Sequence, residues 1–151
     1  MEVIELSAED GRVTALIDIH SAYCAEHTPA GSGHAVNATT PDLSDMRYWV
    51  ATIKGDPVGC IGMKSIADRH AEIKTMHVLQ TSRGAGVGKE LLSTLIEKAQ
   101  SAGFSRLSLE TGKSEGFAAS RRLYKRLGFQ ACPPFGNYTD DPFSYCMTRE
   151  L

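Results

Sequence analysis

Between Arg83 and Lys89 the chain reads RGAGVGK, three glycines at alternate positions with an apolar helical pattern directly behind them. Glycine admits backbone conformations closed to other residues and lets a ligand come close to main-chain N–H groups. A helix N-terminus adds partial positive charge. Together they suit an anion, above all a phosphate. Elsewhere Glu72 and Lys74 stand two apart in a β-type stretch, and Tyr124 and Tyr138 offer phenolic hydroxyls. Carboxylate, ammonium and phenol are groups that move protons or hold a small polar substrate.

Two familiar phosphate loops do not fit. A P-loop needs GxxxxGK followed by Ser or Thr. Here Arg83 stands at the first glycine position and Glu90 at the hydroxyl position. A dinucleotide loop needs GxGxxG, and Lys89 takes the place of its third glycine. Glu110 lies about 20 residues on, where a ribose-binding acid would sit. That loop, however, belongs to the first crossover of a parallel unit, and this one follows three strands of antiparallel pattern.

Hydrophobic period supplies the frame. Val3–Leu6 reads as a strand and Asp10 to about Glu26 as a helix. His27 to Asp42 is rich in Gly, Pro, Ser, Thr and Asn and reads as a long loop of functional length. Arg47–Ile53 and Val58 to Ile66 form a hairpin around KGDP, and Ala71–Val78 is a further strand. Val87, Leu91, Leu92, Leu95, Ile96 and Ala99 mark one face of a helix ending near Gly103. Arg106–Glu110 is a strand, Glu115 to Leu127 a helix stopped by Gly128, and Ser144–Leu151 a closing strand. The order is that of one α/β domain over residues 1–151 on a mixed sheet.

The chain's 151 residues suffice for one substantial core. A formal charge of −2 offers no basic excess for nucleic acid. The first twenty residues lack a signal-peptide pattern, and no apolar run nears the roughly 18 residues of a membrane span. Cys24, Cys60, Cys132 and Cys146 are widely spaced, as expected of reduced thiols in the cytoplasm rather than a zinc site. His20, His27 and His70 show no metal-ligand spacing, and Cys60, mid-strand, lacks an activating base.

The loop matches a third pattern. Arg83, Gly86 and Gly88, as Arg-x-x-Gly-x-Gly after MHV and before an apolar helix, resemble the acetyl-CoA pyrophosphate loop of the GNAT N-acetyltransferases. Leu123–Phe129, LYKRLGF, is similar to a second stretch of that superfamily, and EIKTMHV, RLSLETG and PFGNYTDDPFS resemble a branch of small stand-alone bacterial members. Phe117 and Ser120 depart from the Asn and Ala that many relatives carry there.

The resemblance implies a mixed, mostly antiparallel sheet flanked by helices, and transfer of an acetyl group from acetyl-CoA to a primary amine. It places Met76, His77, Val78, Arg83, Gly84, Ala85, Gly86, Val87, Gly88 and Lys89 against the cofactor, with main-chain N–H groups near Met76–Val78 serving the oxyanion and pantetheine pairing with the strand edge. It gives Tyr124 the role of acid to the leaving thiolate and Glu72 that of general base, a bound water being the alternative. Strict alternation would set Glu72, Lys74, Met76 and Val78 on one face and His77 on the other, packing with neighbours. Lys74 would hold a substrate carboxylate or pair with Glu72. His34 and Tyr138 are candidate acceptor contacts. The cations of RRLYKR are a solvated face or an outer contact to the CoA 3′-phosphate. The expected acceptor is a small-molecule amine; a protein or peptide amine, or a non-catalytic acyl-CoA-binding module, are the alternatives. A homodimer is implied only by habit within the superfamily.

Overall fold

The computed structural model describes residues 1–29 and 45–151. Its elements are β1 (Glu2–Leu6), α1 (Gly11–His27), β2 (Met46–Ile53), β3 (Asp56–Ala67), β4 (His70–Val78), α2 (Val87–Ser101), β5 (Arg106–Gly112), α3 (Ala118–Arg126), β6 (Gln130–Ala131) and β7 (Ser144–Glu150). The seven strands form one sheet in the order β1-β2-β3-β4-β5-β7-β6. Among the described residues only β4 and β5 run parallel, with α2 as the crossover between them. Most of the loop expected between α1 and β2, His34 with it, lies outside the described residues. Among the described residues no helix is long and apolar enough to cross a membrane.

Local chemistry sets the ends of these elements. Asp10 caps α1 by accepting the Arg12 N–H at 2.9 Å. Lys54 and Gly55, both at positive φ, make the tight β2–β3 turn. Two helices end in the same glycine motif: Phe104 N–H donates to Ala99 O after α2, and Phe129 N–H to Tyr124 O after α3, around Gly103 and Gly128. The second fixes Tyr124 at the end of its helix.

The sheet is covered on both faces. All six residues read from the period of α2 are buried, packing on Trp49, Ile61, Met63, Ile73, Leu107 and Leu109. Val13, Leu16 and Ile17 of α1 pack on Tyr48, Val50 and Cys60 on the opposite face. Each large aliphatic side chain so removed from water contributes about 1.5–3 kcal/mol.

One irregularity matters to function. β3 pairs with β4 as Gly62↔Thr75 and then Met63↔Ile73, so Lys74 is an extra residue in β4. Such a bulge inverts the alternation of side chains along the strand. Ala71 and Ile73 lie on the α2 face before it, and Met76 and Val78 lie on that face after it. The strict alternation expected from sequence is therefore corrected: Glu72 does not share a face with Met76 and Val78. It shares the α1 face with His77, whose pairing partner Cys60 packs on α1. The β4–β5 ladder ends at Ile73↔Leu109, one residue short of the bulge. From there the two strands separate, and the cleft described next opens between them.

Candidate active site

The glycine loop forms one wall of a cleft. Gly84 and Gly86 adopt φ of +82° and +83°, a region other residues rarely enter, and a Cβ on either would meet nothing within 4 Å. The loop is thus left-handed where it must turn and open where a ligand must approach. Gly88 is needed for a different reason. A Cβ there would lie 3.1 Å from Leu123 Cδ2 and 3.3 Å from Met76 Cε, so its absence lets α2 sit close against α3 and β4. α2 starts at Gly86 without a side-chain cap. Its first N–H groups therefore need another acceptor, which a phosphate anion supplies. Arg83 closes the loop: its Nε donates to Val78 O at 3.2 Å, and its guanidinium lies 5.1 Å from the Tyr23 ring centre.

The cleft is lined by the residues expected to hold the cofactor, Ala85 excepted. Arg126 also reaches it, whereas Arg121 donates to the carbonyls of Gly112 and Ser114 and braces the turn before α3. That turn is a 3-10 segment at Glu115–Phe117, not the first turn of an α-helix as periodicity suggests. The Tyr23 hydroxyl holds it through the Gly116 carbonyl at 2.6 Å.

A second cavity adjoins the first. His20, Met76, Phe117 and Ser120 line both, so the two spaces meet at these four side chains. Phe117, one of the departures from the family pattern, packs edge-on to Tyr23 and His27 and walls the junction. His20 Nδ1 lies 3.4 Å from His77 Nδ1. Burial, and then the neighbouring ring, hold His20 at about 4; burial, and then Arg83, hold His77 at about 4. Both imidazoles are neutral near pH 7, and one donates to the other.

Tyr124 lines the second cavity from α3. It is buried, with its ring edge-on to Phe129 at 5.8 Å between centres. Burial raises its phenol well above the usual range, and Cys24 and Glu110 add to the effect. The hydroxyl therefore keeps its proton and can donate it.

Three polar side chains of the second cavity come from distant parts of the chain. Lys74, at the bulge, donates from Nζ to the Tyr138 hydroxyl at 2.8 Å. Tyr138 donates to Glu72 Oε1 at 2.5 Å, and Lys74 Nζ lies 3.5 Å from the same oxygen. Lys74 and Tyr138 line the cavity. Glu72, 6% exposed, stands behind them and does not. Burial and the Glu72 carboxylate both raise the Tyr138 phenol, so it too stays protonated.

The carboxylate that does line the cavity is Glu110, half-buried near the end of β5, with Oε1 accepting from Ser144 Oγ at 2.8 Å. Sequence reasoning weighed it only as a ribose acid. The signal was present: Leu107 and Leu109 face the α2 core, so Ser108 and Glu110 face the side of Glu72 on the neighbouring strand. His70 is committed to structure, with Nε2 at 2.7 Å from Ser108 Oγ. Cys60 is buried, and burial pushes its thiol to about 12; Cys24, on the cavity wall, is pushed to about 11. Neither is a thiolate nucleophile near pH 7.

A glycine loop at an uncapped helix start leads into a cavity lined by ionisable side chains, an arrangement suited to a phosphate-bearing substrate beside a polar one. Comparison with known proteins makes the class particular. Residues 14–129 match the Acetyltransferase (GNAT) family. The chain is 36% identical over 140 residues to the uncharacterized N-acetyltransferase YsnE of Bacillus subtilis, covering 93% of each. It is 36% identical to an IAA acetyltransferase of Azospirillum brasilense, covering 92% of this chain and 90% of that one. A putative acyl-CoA N-acyltransferase from Klebsiella pneumoniae superposes with a TM-score of 0.83 at 25% identity, over 99% and 97% of the two chains. A GNAT acetyltransferase from Elizabethkingia anophelis, solved with acetyl-CoA bound, shares the fold at a TM-score of 0.73 and 19% identity, over 99% and 97%. The chain belongs to the GNAT family. It is an N-acetyltransferase, and its co-substrate is acetyl-CoA.

Proposed function

We propose that the protein passes the acetyl group directly to the primary amine of a small molecule while both substrates are bound. The observation that carries this reading is the meeting of the two cavities at His20, Met76, Phe117 and Ser120. Acetyl-CoA supplies the activated thioester, held through its pyrophosphate by the loop from Arg83 to Lys89. The edge of β4 beyond Ile73, released from β5, offers main-chain groups to the pantetheine arm and to the developing oxyanion.

The remaining roles belong to side chains. Glu110 takes the proton that the acceptor's ammonium must lose, since among the described residues it is the carboxylate on the cavity wall. Glu72, one step back, keeps Tyr138 and Lys74 in place. Tyr124, on the cavity wall and kept protonated by its burial, donates a hydrogen bond to the departing thiolate. An acyl-cysteine route is disfavoured by the raised thiols of Cys24 and Cys60. A small acceptor is favoured because the polar groups converge within a cavity, and a relative of near-equal length is named an IAA acetyltransferase.

The test is thiol release from acetyl-CoA with pooled small amines, for wild type and Tyr124→Phe. Amine-dependent release that drops in the variant is the expected outcome. Absence of release from every pool, with CoA still raising the melting temperature, would sink direct transfer to a small amine and turn the search to protein or peptide amines.

A further inference from the structure

The acceptor cavity carries two opposite charges on its wall, and the second is not needed for acetyl transfer to an amine. Glu110 alone meets an ammonium group. Lys74 is the other, and its placement is specific. It is the extra residue of the β4 bulge, it lines the cavity, and its side chain is 22% exposed. An ammonium has three donors. Tyr138 O takes one at 2.8 Å, and Glu72 Oε1 lies along a second at 3.5 Å. Among the described residues the third is left to the cavity.

The Glu72 carboxylate offsets part of this charge but leaves the cavity-facing donor open. It stands behind Lys74 and Tyr138 and is absent from the cavity wall. What it does is hold the ammonium in place: Tyr138 is pinned by donating to Glu72, and its oxygen in turn fixes Lys74, whose Nζ lies 5.2 Å from the tyrosine ring centre. Glu110 is likewise held, by Ser144 from β7. The wall thus presents a fixed carboxylate on β5 and a fixed ammonium on β4, on strands that diverge from Ile73↔Leu109.

We infer that the acceptor carries a carboxylate close to its amine, as an amino acid does, with Lys74 binding the carboxylate and Glu110 the amine. The inference rests on the direct-transfer reading above and names its substrate class. A simple amine, an amide or the N-terminus of a peptide leaves the cavity-facing donor of Lys74 unmet, which costs affinity. Sites built around a carboxylate partner reject analogues that lack it by a wide margin. Lys74 and Glu72 are then specificity residues rather than members of the proton path.

The experiment uses the full chain with acetyl-CoA and a panel of amino acids: small, aromatic, acidic and basic, α and β. Each is set beside its amide and its decarboxylated amine. Initial rates of thiol release give kcat/KM. The expected result is at least one amino acid preferred over both its partners by tenfold or more. In Lys74→Met that ratio collapses toward one, chiefly through KM. Lys74→Arg retains part of it, which a merely structural role for Lys74 would not produce. A CoA-induced rise in melting temperature shows that each variant folds. Amines and amides turned over as well as the amino acids, with Lys74→Met leaving the ratio alone, would overturn the inference and leave the direct-transfer reading standing. No turnover of any compound would overturn both.

Discussion

The two halves of the active site are built by different means. The cofactor half is made mostly of backbone: two glycines at positive φ, an uncapped helix N-terminus, and a strand edge that has lost its neighbour. The acceptor half is made of side chains: Glu110 from β5, Lys74 and Glu72 from β4, Tyr124 from α3, and Tyr138 and Ser144 from near the C-terminus. A backbone site is tolerant of most side chains around it but intolerant of a lost glycine. A side-chain site is the reverse. Binding and turnover should therefore respond to different substitutions.

The largest effects belong to the acceptor half. Glu110→Gln keeps size and hydrogen bonding but cannot take a proton. Turnover should fall roughly 10²–10⁴-fold, the usual worth of a general base. The CoA-induced rise in melting temperature should not change. Glu72→Gln should cost less in kcat than Glu110→Gln; the opposite order in steady-state rates would return the base role to Glu72. Tyr124→Phe comes next, on the order of 10²-fold. Its deficit belongs to the leaving thiol, so an acyl donor with a more acidic thiol should narrow it. A deficit unchanged across donors would remove Tyr124 from that step.

The same contrast explains what could be read from the sequence. The glycine loop is local: its residues are consecutive, and its physics is carried by residue type. The α2 face was legible for the same reason, since 3.6-residue periodicity is a short-range property. The faces of β4 were not legible. Two-residue alternation places Glu72 with Met76, and only the pairing of β4 with β3 reveals the extra residue at Lys74. Glu110 was hidden differently. Its spacing from the loop imitated a ribose acid, and its real setting depends on a parallel neighbour separated from it by the whole of α2. Tyr138 was found as a candidate, but its bond to Glu72 spans 66 residues and has no sequence signature.

At the seam between the halves sits a stability switch that neither half needs for chemistry. His20 and His77 are both held at about 4 in the folded chain, against 6.5 for a free imidazole. The unfolded chain therefore binds more protons as pH drops below about 6.5. The histidine contribution is flat above that pH. Stability is lost between about 6.5 and about 4, at most about 3 kcal/mol for each ring. Urea midpoints at pH 7.5, 6.0 and 5.0 should show the decline, and His20→Gln should flatten it. An equal slope in the variant would take His20 out of the loss.

The smallest predicted effect is the sharpest test of the backbone argument. Gly86→Ala adds one methyl group in open space, so nothing is displaced by it. The only cost is that of a non-glycine residue at φ near +83°, about 1–2 kcal/mol. Part of that appears as lower stability. The rest appears as weaker CoA binding, about tenfold at most, if the loop relaxes to another conformation when CoA is absent. Gly88 does not sit at positive φ, yet the methyl of Gly88→Ala would press on Leu123 and Met76. It should lower the melting temperature through packing, with CoA affinity falling only as α2 shifts. Calorimetric titration of CoA into both variants separates the two costs. If Gly86→Ala bound CoA as tightly as wild type and melted with it, the left-handed turn would not be what the pyrophosphate requires. The cofactor half would then depend on side chains such as Arg83 after all, and the contrast between the halves would fail.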